Sequence, residues 1–410
     1  MGWRATAARS AARGIAATAL LLAALAPVAA AETPDSSAAL PDSTSGARPE
    51  PTPPAVPRAT AEWETLATGL PEQVRVSPLV EVVYNRVDGP APLVGAALRR
   101  ERDPAPLLYV KGGYAFSRKR RIGSAGFELP LGDRSGIRIG GDVYSRTASE
   151  DEWIVGSNEN TIFALLARTD YRDWYEAEGI SGRAIWEPGT DAALEVRATF
   201  EDQTSLRTST RVSASGHEPR FRSNPAIDSG TEGLLAVAVR LGPLVLPKEG
   251  GSRATVRYER SGGPLGRDFD YGRFRATVNG SRRFGKRGSG RARIVAGSTR
   301  EGTLPSQKIW HLGGIGTLRG HEYKAFAGDQ FLLANGEGYW LLRKNVFGMV
   351  FLDWGAAWFG AGNLERQRPA LDGGVGIRLL QEPGLAVTAA RDLQRDNAPI
   401  LVGVRLGAAF

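Results

Sequence analysis

From Leu79 to the end, the chain alternates apolar and polar positions at a period of two. The final run shows it most clearly: Ile400, Val402, Val404, Leu406, Ala408 and Phe410 share one face, and Gly403, Arg405 and Gly407 the other. The same alternation places Leu235, Val237, Val239 and Leu241 opposite Ala236, Ala238 and Arg240, and Phe274, Ala276 and Val278 opposite Arg273, Arg275 and Thr277. A period of two is that of a β-strand with unlike faces. In a soluble sheet the apolar face covers a core; in a transmembrane barrel it meets lipid, and the polar face lines the lumen. Allowing roughly 10 residues per strand and a similar length per connection, residues 79–410 hold about sixteen strands, an even number that suits a closed antiparallel barrel. A β-sandwich or propeller is the soluble alternative, but no blade-length repeat is present. The expected fold class is all-β, a transmembrane antiparallel β-barrel.

Two stretches break the pattern. Leu312–Tyr323 contains four glycines, too many for the interior of a strand or helix. It reads as a tightly folded loop in which Arg319 is the single charge between His311 and Glu322. About eleven strands precede it. Five follow, at Gln330–Leu342, Val346–Trp358, Leu371–Leu380, Leu385–Leu393 and Pro399–Phe410. With both termini periplasmic, this loop is extracellular, and Lys344-Asn345 is a turn at the opposite end. The second break is 147–176, which the strand count places on the short-turn side. Its stretch Asn160–Trp174 carries Phe163, Leu166 and Trp174 on a rough helical stripe and reads as a short amphipathic helix on the periplasmic rim.

The N-terminus differs in composition. Arg4, Arg9 and Arg13 precede an apolar run from Ile15 to Val28 and an Ala29-Ala30-Ala31 end. This describes a secretory signal peptide over 1–31, and the run is short of the roughly 20 residues a membrane helix needs. Residues 32–60 hold seven prolines among Ser, Thr, Ala and Asp and read as a disordered segment. Residues 61–78 form a short periplasmic lead-in to a barrel over 79–410. The chain has no cysteine, so disulfides contribute nothing to its stability.

The sequence gives little sign of an active site. His217, His311 and His321 lack a metal-ligand spacing, and no G-x-S-x-G elbow is present. No catalytic residue, metal or cofactor is expected. The basic run Ser117–Arg121 could suggest nucleic acid, but in an exported barrel it is better read as a periplasmic turn or a contact with lipopolysaccharide or lipid headgroups. Nucleic acid is not an expected partner. Trp310, Tyr339, Trp340, Trp354, Trp358 and Phe410 lie near strand ends and fit interfacial aromatic girdles.

These residues resemble the bacterial surface antigen superfamily of outer-membrane barrels. That superfamily includes BamA-type assembly insertases, their translocation-and-assembly relatives and two-partner secretion transporters. Gly313-Gly314 followed by Leu318-Arg319-Gly320 is similar to its loop-six signature, with His321 where an aromatic is usual. Asn335-Gly336-Glu337, Phe351-Leu352-Asp353-Trp354-Gly355 and Gly373–Arg378 then follow in the family's order, and Phe410 resembles its C-terminal barrel signature. The match is detailed over 300–410 and architectural elsewhere.

The resemblance implies that the loop folds into the barrel, with Arg319 meeting Glu337 and Asp353 on the inner wall. It also implies a function in outer-membrane protein assembly or protein translocation, with clients that pair at the seam between first and last strands. Outer-membrane lipid, lipopolysaccharide and unfolded outer-membrane or secreted proteins are the implied partners. The segment ahead of the first strand is too short for the POTRA domains that assembly members carry. A passive pore or structural barrel is therefore the alternative, and a barrel-embedded hydrolase a more distant one.

Overall fold

The computed structural model describes residues 74–406 except 102–105, 133–134, 215–219, 243–249, 266, 361, 363–366 and 381–383. The segments 1–31 and 32–60, most of 61–78, and Phe410 lie outside the described residues.

Sixteen strands form one antiparallel sheet. Its first half comprises β1 (Val74–Asn85), β2 (Gly89–Arg100), β3 (Pro106–Ala115), β4 (Arg120–Pro130), β5 (Ile137–Ala148), β6 (Tyr175–Trp186), β7 (Ala192–Ser205) and β8 (Gly230–Leu241). The series continues with β9 (Gly250–Ser261), β10 (Tyr271–Phe284) and β11 (Gly288–Gly302). A two-stranded ribbon follows, β12 (Trp310–Leu312) with β13 (Phe326–Gly328). The sheet resumes with β14 (Gln330–Arg343), β15 (Val346–Trp358), β16 (Ala370–Leu379), β17 (Leu385–Asp392) and β18 (Leu401–Leu406). Each strand pairs with its sequence neighbour in the sheet, with β11 pairing β14 across the ribbon. The fold class and the sixteen strands agree with the alternation in the sequence. The sheet rolls into a barrel without closing: no ladder joins β1 to β18 among the described residues.

The outer face is apolar where a soluble protein would be polar. Val80 and Val94, cross-strand partners on β1 and β2, are 74% and 64% exposed. Val143 and Ile180 on β5 and β6 are likewise paired and exposed, as are Val350 and Val375 on β15 and β16. Exposed aliphatic side chains therefore recur on paired strands around the sheet, the kind of contiguous apolar surface that marks a membrane or protein contact. No helix is long and apolar enough to cross a membrane, a criterion that does not bear on strands.

The long connections 149–174, 206–229 and 303–329 all leave one end of the barrel. This corrects the expected position of 147–176. β5 and β11 run in the same direction, so the connection after β5 emerges at the same end as the Arg319 loop, not on the short-turn rim. The helix within it, α1 (Ser157–Ala167), ends at Arg168 in the left-handed region (φ 55°), so Trp174 is not part of it.

The basic run 117–121 sits at this end as well. It is not a free cationic patch: Arg118 pairs with Asp88 at 2.5 Å and Glu176 at 3.1 Å, and Arg120 with Glu178 at 2.7 Å. Two of the expected girdle aromatics also point inward. Trp310 packs on Phe331 in the interior, and the Tyr339 hydroxyl donates to Glu337, whereas Trp340 faces out.

Candidate functional site

Five strands present polar side chains to the interior at one level. Arg293 on β11 is the register partner of Asn335 on β14, Asn335 of Asp353 on β15, Asp353 of Asp372 on β16, and Asp372 of Asp392 on β17. All five are buried. Three carboxylates side by side across adjacent strands repel one another unless cations meet them.

The glycine-rich loop crosses this row at right angles to the strands. Its residues step from one strand to the next. The Gly316 carbonyl accepts from Arg293 Nη2 at 2.7 Å, and the Thr317 carbonyl accepts from Asn335 Nδ2 at 2.8 Å. Arg319 then reaches Asp353, and the Gly320 amide donates to Asp372 Oδ2 at 2.6 Å. His321 Nδ1 lies 2.9 Å from Asp372 Oδ1, and its Nε2 lies 3.7 Å from Asp392.

Local sequence explains how the loop turns so tightly. Gly313 and Gly314 both have positive φ, 117° and 86°. A Cβ on Gly313 would stand 2.3 Å from the Glu322 carbonyl oxygen. The Gly313 amide donates to Thr317 Oγ1 at 2.7 Å, and the Gly314 amide donates to the Leu318 carbonyl at 2.9 Å. Leu318, fully buried, anchors the loop in an apolar cluster with Leu312, Trp310, Phe331 and Leu333.

Arg319 is the most heavily bonded side chain of the loop. Nε and Nη2 donate to the two oxygens of Asp353 at 2.7 and 2.6 Å, and Nη1 donates to Glu337 Oε1 at 2.6 Å. The guanidinium lies 3.6 Å from the centre of the Phe351 ring. A planar fork suits this arrangement, since it engages one carboxylate with two donors and keeps a third for another. Burial disfavours its charge, but Asp353 and Glu337 outweigh burial and hold its pKa above the ordinary arginine value.

His321 makes an aromatic contact, edge-on to Phe326 at 4.9 Å. Its two acids give it a second role. Asp372 raises its pKa against the opposing effect of partial burial. The cluster of His321, Asp372 and Asp392 brings three donor atoms within 4.8 Å of one another. Sequence spacing gave no hint of this, because the three residues come from a loop and two strands. Asp372 and Asp392 were not singled out in the sequence for the same reason.

The loop is also tied to the connection after β5. Lys324 Nζ reaches Asp151 at 2.8 Å and Asp173 at 2.6 Å, and Lys308 Nζ reaches Glu150 at 2.8 Å. Burial by itself would raise the carboxyl pKa of Glu150. Lys308 and Arg273 overcome it and hold Glu150 down to about 2. Asp173 is held down to about 2 in the same way, by Lys324 and Arg222 against burial. A Cβ on Gly316 would stand 2.6 Å from the Ile154 carbonyl oxygen, so the two connections touch backbone to backbone. They occupy the lumen as one interlocked unit.

No family model and no curated protein matches the chain. Among solved structures, BamA from Haemophilus ducreyi lacking POTRA domains 1–3 aligns with a TM-score of 0.53 at 12% identity, over 81% of this chain and 70% of that one. The chain therefore has the fold of the BamA barrel. CdiB from Acinetobacter baumannii aligns at a TM-score of 0.43 and 12% identity, over 82% of this chain and 60% of that one. CdiB from Escherichia coli aligns at 0.47 and 13%, over 82% and 62%. The chain thus spans less than two thirds of either CdiB.

Proposed function

We propose that this chain is an outer-membrane barrel of the surface antigen type that assists the assembly or translocation of other proteins at its seam. The observation that carries this reading is that no strand ladder joins β1 to β18 among the described residues. An unpaired edge is a template for an added strand, and an extended client segment binds such an edge through main-chain hydrogen bonds. The exposed aliphatic band supports placement in a bilayer, and the BamA-like fold supports the class of function.

On this reading residues 1–31 direct export and are removed, and 32–78 lie in the periplasm ahead of the barrel. The end bearing the long connections is extracellular. Outer-membrane lipid and lipopolysaccharide surround the barrel, and unfolded outer-membrane or secreted proteins are its clients. Arg319 and its acids act structurally, holding the loop inside while the seam works. No residue is assigned a catalytic role.

The test is reconstitution. Liposomes containing the barrel should accelerate folding of an unfolded outer-membrane barrel substrate relative to empty liposomes. Steady ion conductance in planar bilayers with no acceleration would replace the proposal with a passive pore.

A further inference from the structure

The gap between β1 and β18 is not empty, because α1 lies in it. Glu159 Oε1 accepts from the Leu406 backbone amide at 2.8 Å and from Arg405 Nε at 2.8 Å, both on β18. Two residues on, Thr161 Oγ1 accepts from the Tyr84 backbone amide on β1 at 3.3 Å. Side chains of a single helical turn thus take amides from both strands flanking the gap, in the place of a neighbouring strand.

The two contacts fix how the helix is rotated. At 3.6 residues per turn, Glu159 and Thr161 point about 200° apart, one toward each flanking strand. The arc between them that holds Asn160, Phe163 and Ala164 is packed against the rest of the protein. Asn160 Oδ1 accepts from the Tyr171 amide at 2.9 Å, and Ala164 packs with Tyr84 and Phe221. Phe163 meets Tyr171 edge-on, and Tyr171 in turn meets Tyr323 of the folded-in loop. The remaining arc holds Ile162, Leu165 and Leu166, which are 41%, 39% and 57% exposed. This inverts the order of a helix on a water-soluble surface, where the polar side faces out. Here Glu159 and Asn160 are buried and the aliphatic residues are bare. The exposed stripe adjoins strands whose own outward residues, Val82 on β1 and Val402 on β18, are barer still.

We propose that α1 is the closing element of this barrel. It stands in for the β1–β18 ladder that is absent among the described residues and turns Ile162, Leu165 and Leu166 to the acyl chains of the bilayer. The acyl-chain contact rests on the membrane placement proposed above; the hydrogen-bonded closure does not. A strand added at this seam would have to displace α1, because Glu159 and Thr161 already hold amides on its two sides.

The absence of cysteine makes single-site labelling unambiguous. Nitroxides attached to the separate variants Leu166→Cys and Val402→Cys in liposomes report collision with membrane-dissolved oxygen against a water-soluble nickel chelate. Both labels should favour oxygen. Oxygen at Val402→Cys with nickel at Leu166→Cys would keep the barrel in the membrane and overturn the outward stripe. Nickel at both would overturn the membrane placement and the acyl contact with it.

Hydrogen exchange tests the closure separately. Glu159→Ala should speed exchange of the Leu406 amide, and Thr161→Val that of the Tyr84 amide, each by about tenfold, the scale of one lost hydrogen bond. Should Glu159→Ala fail to fold, Thr161→Val still reads the β1 side. Unchanged exchange at the affected amide in a folded variant would overturn α1 as the closing element.

Discussion

Arg319 holds both oxygens of Asp353, through Nε at 2.7 Å and Nη2 at 2.6 Å. Asp353 is fully buried and also accepts from Asn335 Nδ2 at 2.8 Å. Buried as it is, this carboxylate has the Arg319 guanidinium as the cation set directly against it.

Removing that cation should therefore be expensive. Arg319→Ala leaves Asp353 and Glu337 buried without it, at an expected cost of about 3–5 kcal/mol. Arg319→Lys should recover part of this, since it restores charge but not the two-pronged geometry. Thermal unfolding in detergent micelles measures both. In Arg319→Ala/Asp353→Asn the costs should be less than additive, because the two residues share one interaction.

The loop's glycines should resist enlargement for reasons of space. A Cβ on Gly320 would lie 2.5 Å from the Arg391 backbone carbonyl carbon, and one on Gly328 would lie 2.3 Å from the Trp358 backbone. Either Gly→Ala change should cost about 1–3 kcal/mol, the range for overpacking. Gly362→Ala would meet open space, but its φ of 81° strains any side chain, so it separates backbone strain from crowding. Limited proteolysis of the folded variants should show the Arg319 loop loosened by Gly320→Ala and untouched by Gly362→Ala.

His321 should couple the loop to pH on the alkaline side. Its folded pKa is raised above the ordinary value of about 6.5. Its contribution to stability is thus fully present below about 6.5 and is lost as pH rises through the raised value. NMR titration of the three histidines should find His321 above normal and His311, which burial lowers, below. Asp372→Asn should bring His321 back toward normal.

The ion pairs that join the two inserted connections should respond on the acid side. Glu150 and Asp173 are both held down to about 2. A depressed carboxyl stabilises above its unfolded pKa, near 4, and loses that contribution as pH falls toward 2. Protease access to 149–174 should therefore stay constant from neutral pH to about 4 and rise below it. Lys324→Met should raise that access at neutral pH, because Asp151 and Asp173 would lose their shared cation.

The barrel was legible because its signal is local. Strand after strand repeats a two-residue period, and the five strands after the loop begin within a few residues of where the alternation marks them. Glu337 and Asp353 meet Arg319, a pairing that the family resemblance implied and that no pattern in the residues themselves shows. What was missed depends on register or parity. Asp372 and Asp392 become a site only when β16 and β17 align with β15, and no single segment carries that information. The connection after β5 was assigned to the wrong end because counting one strand more or less ahead of it switches the end at which it emerges. The inverted helix α1 was read by its apolar stripe alone. The residues that set its place, Glu159 and Thr161, look like ordinary helix-surface residues until their partners on β1 and β18 are known.

The account depends on lipid receiving the apolar face of the strands. Purification of the chain from 74 onward, with and without detergent, tests this most directly. The account predicts that it stays monomeric only in detergent or liposomes, and that membrane-inserted protein resists extraction by alkaline carbonate. A chain that remains folded, soluble and monomeric in buffer alone would contradict it.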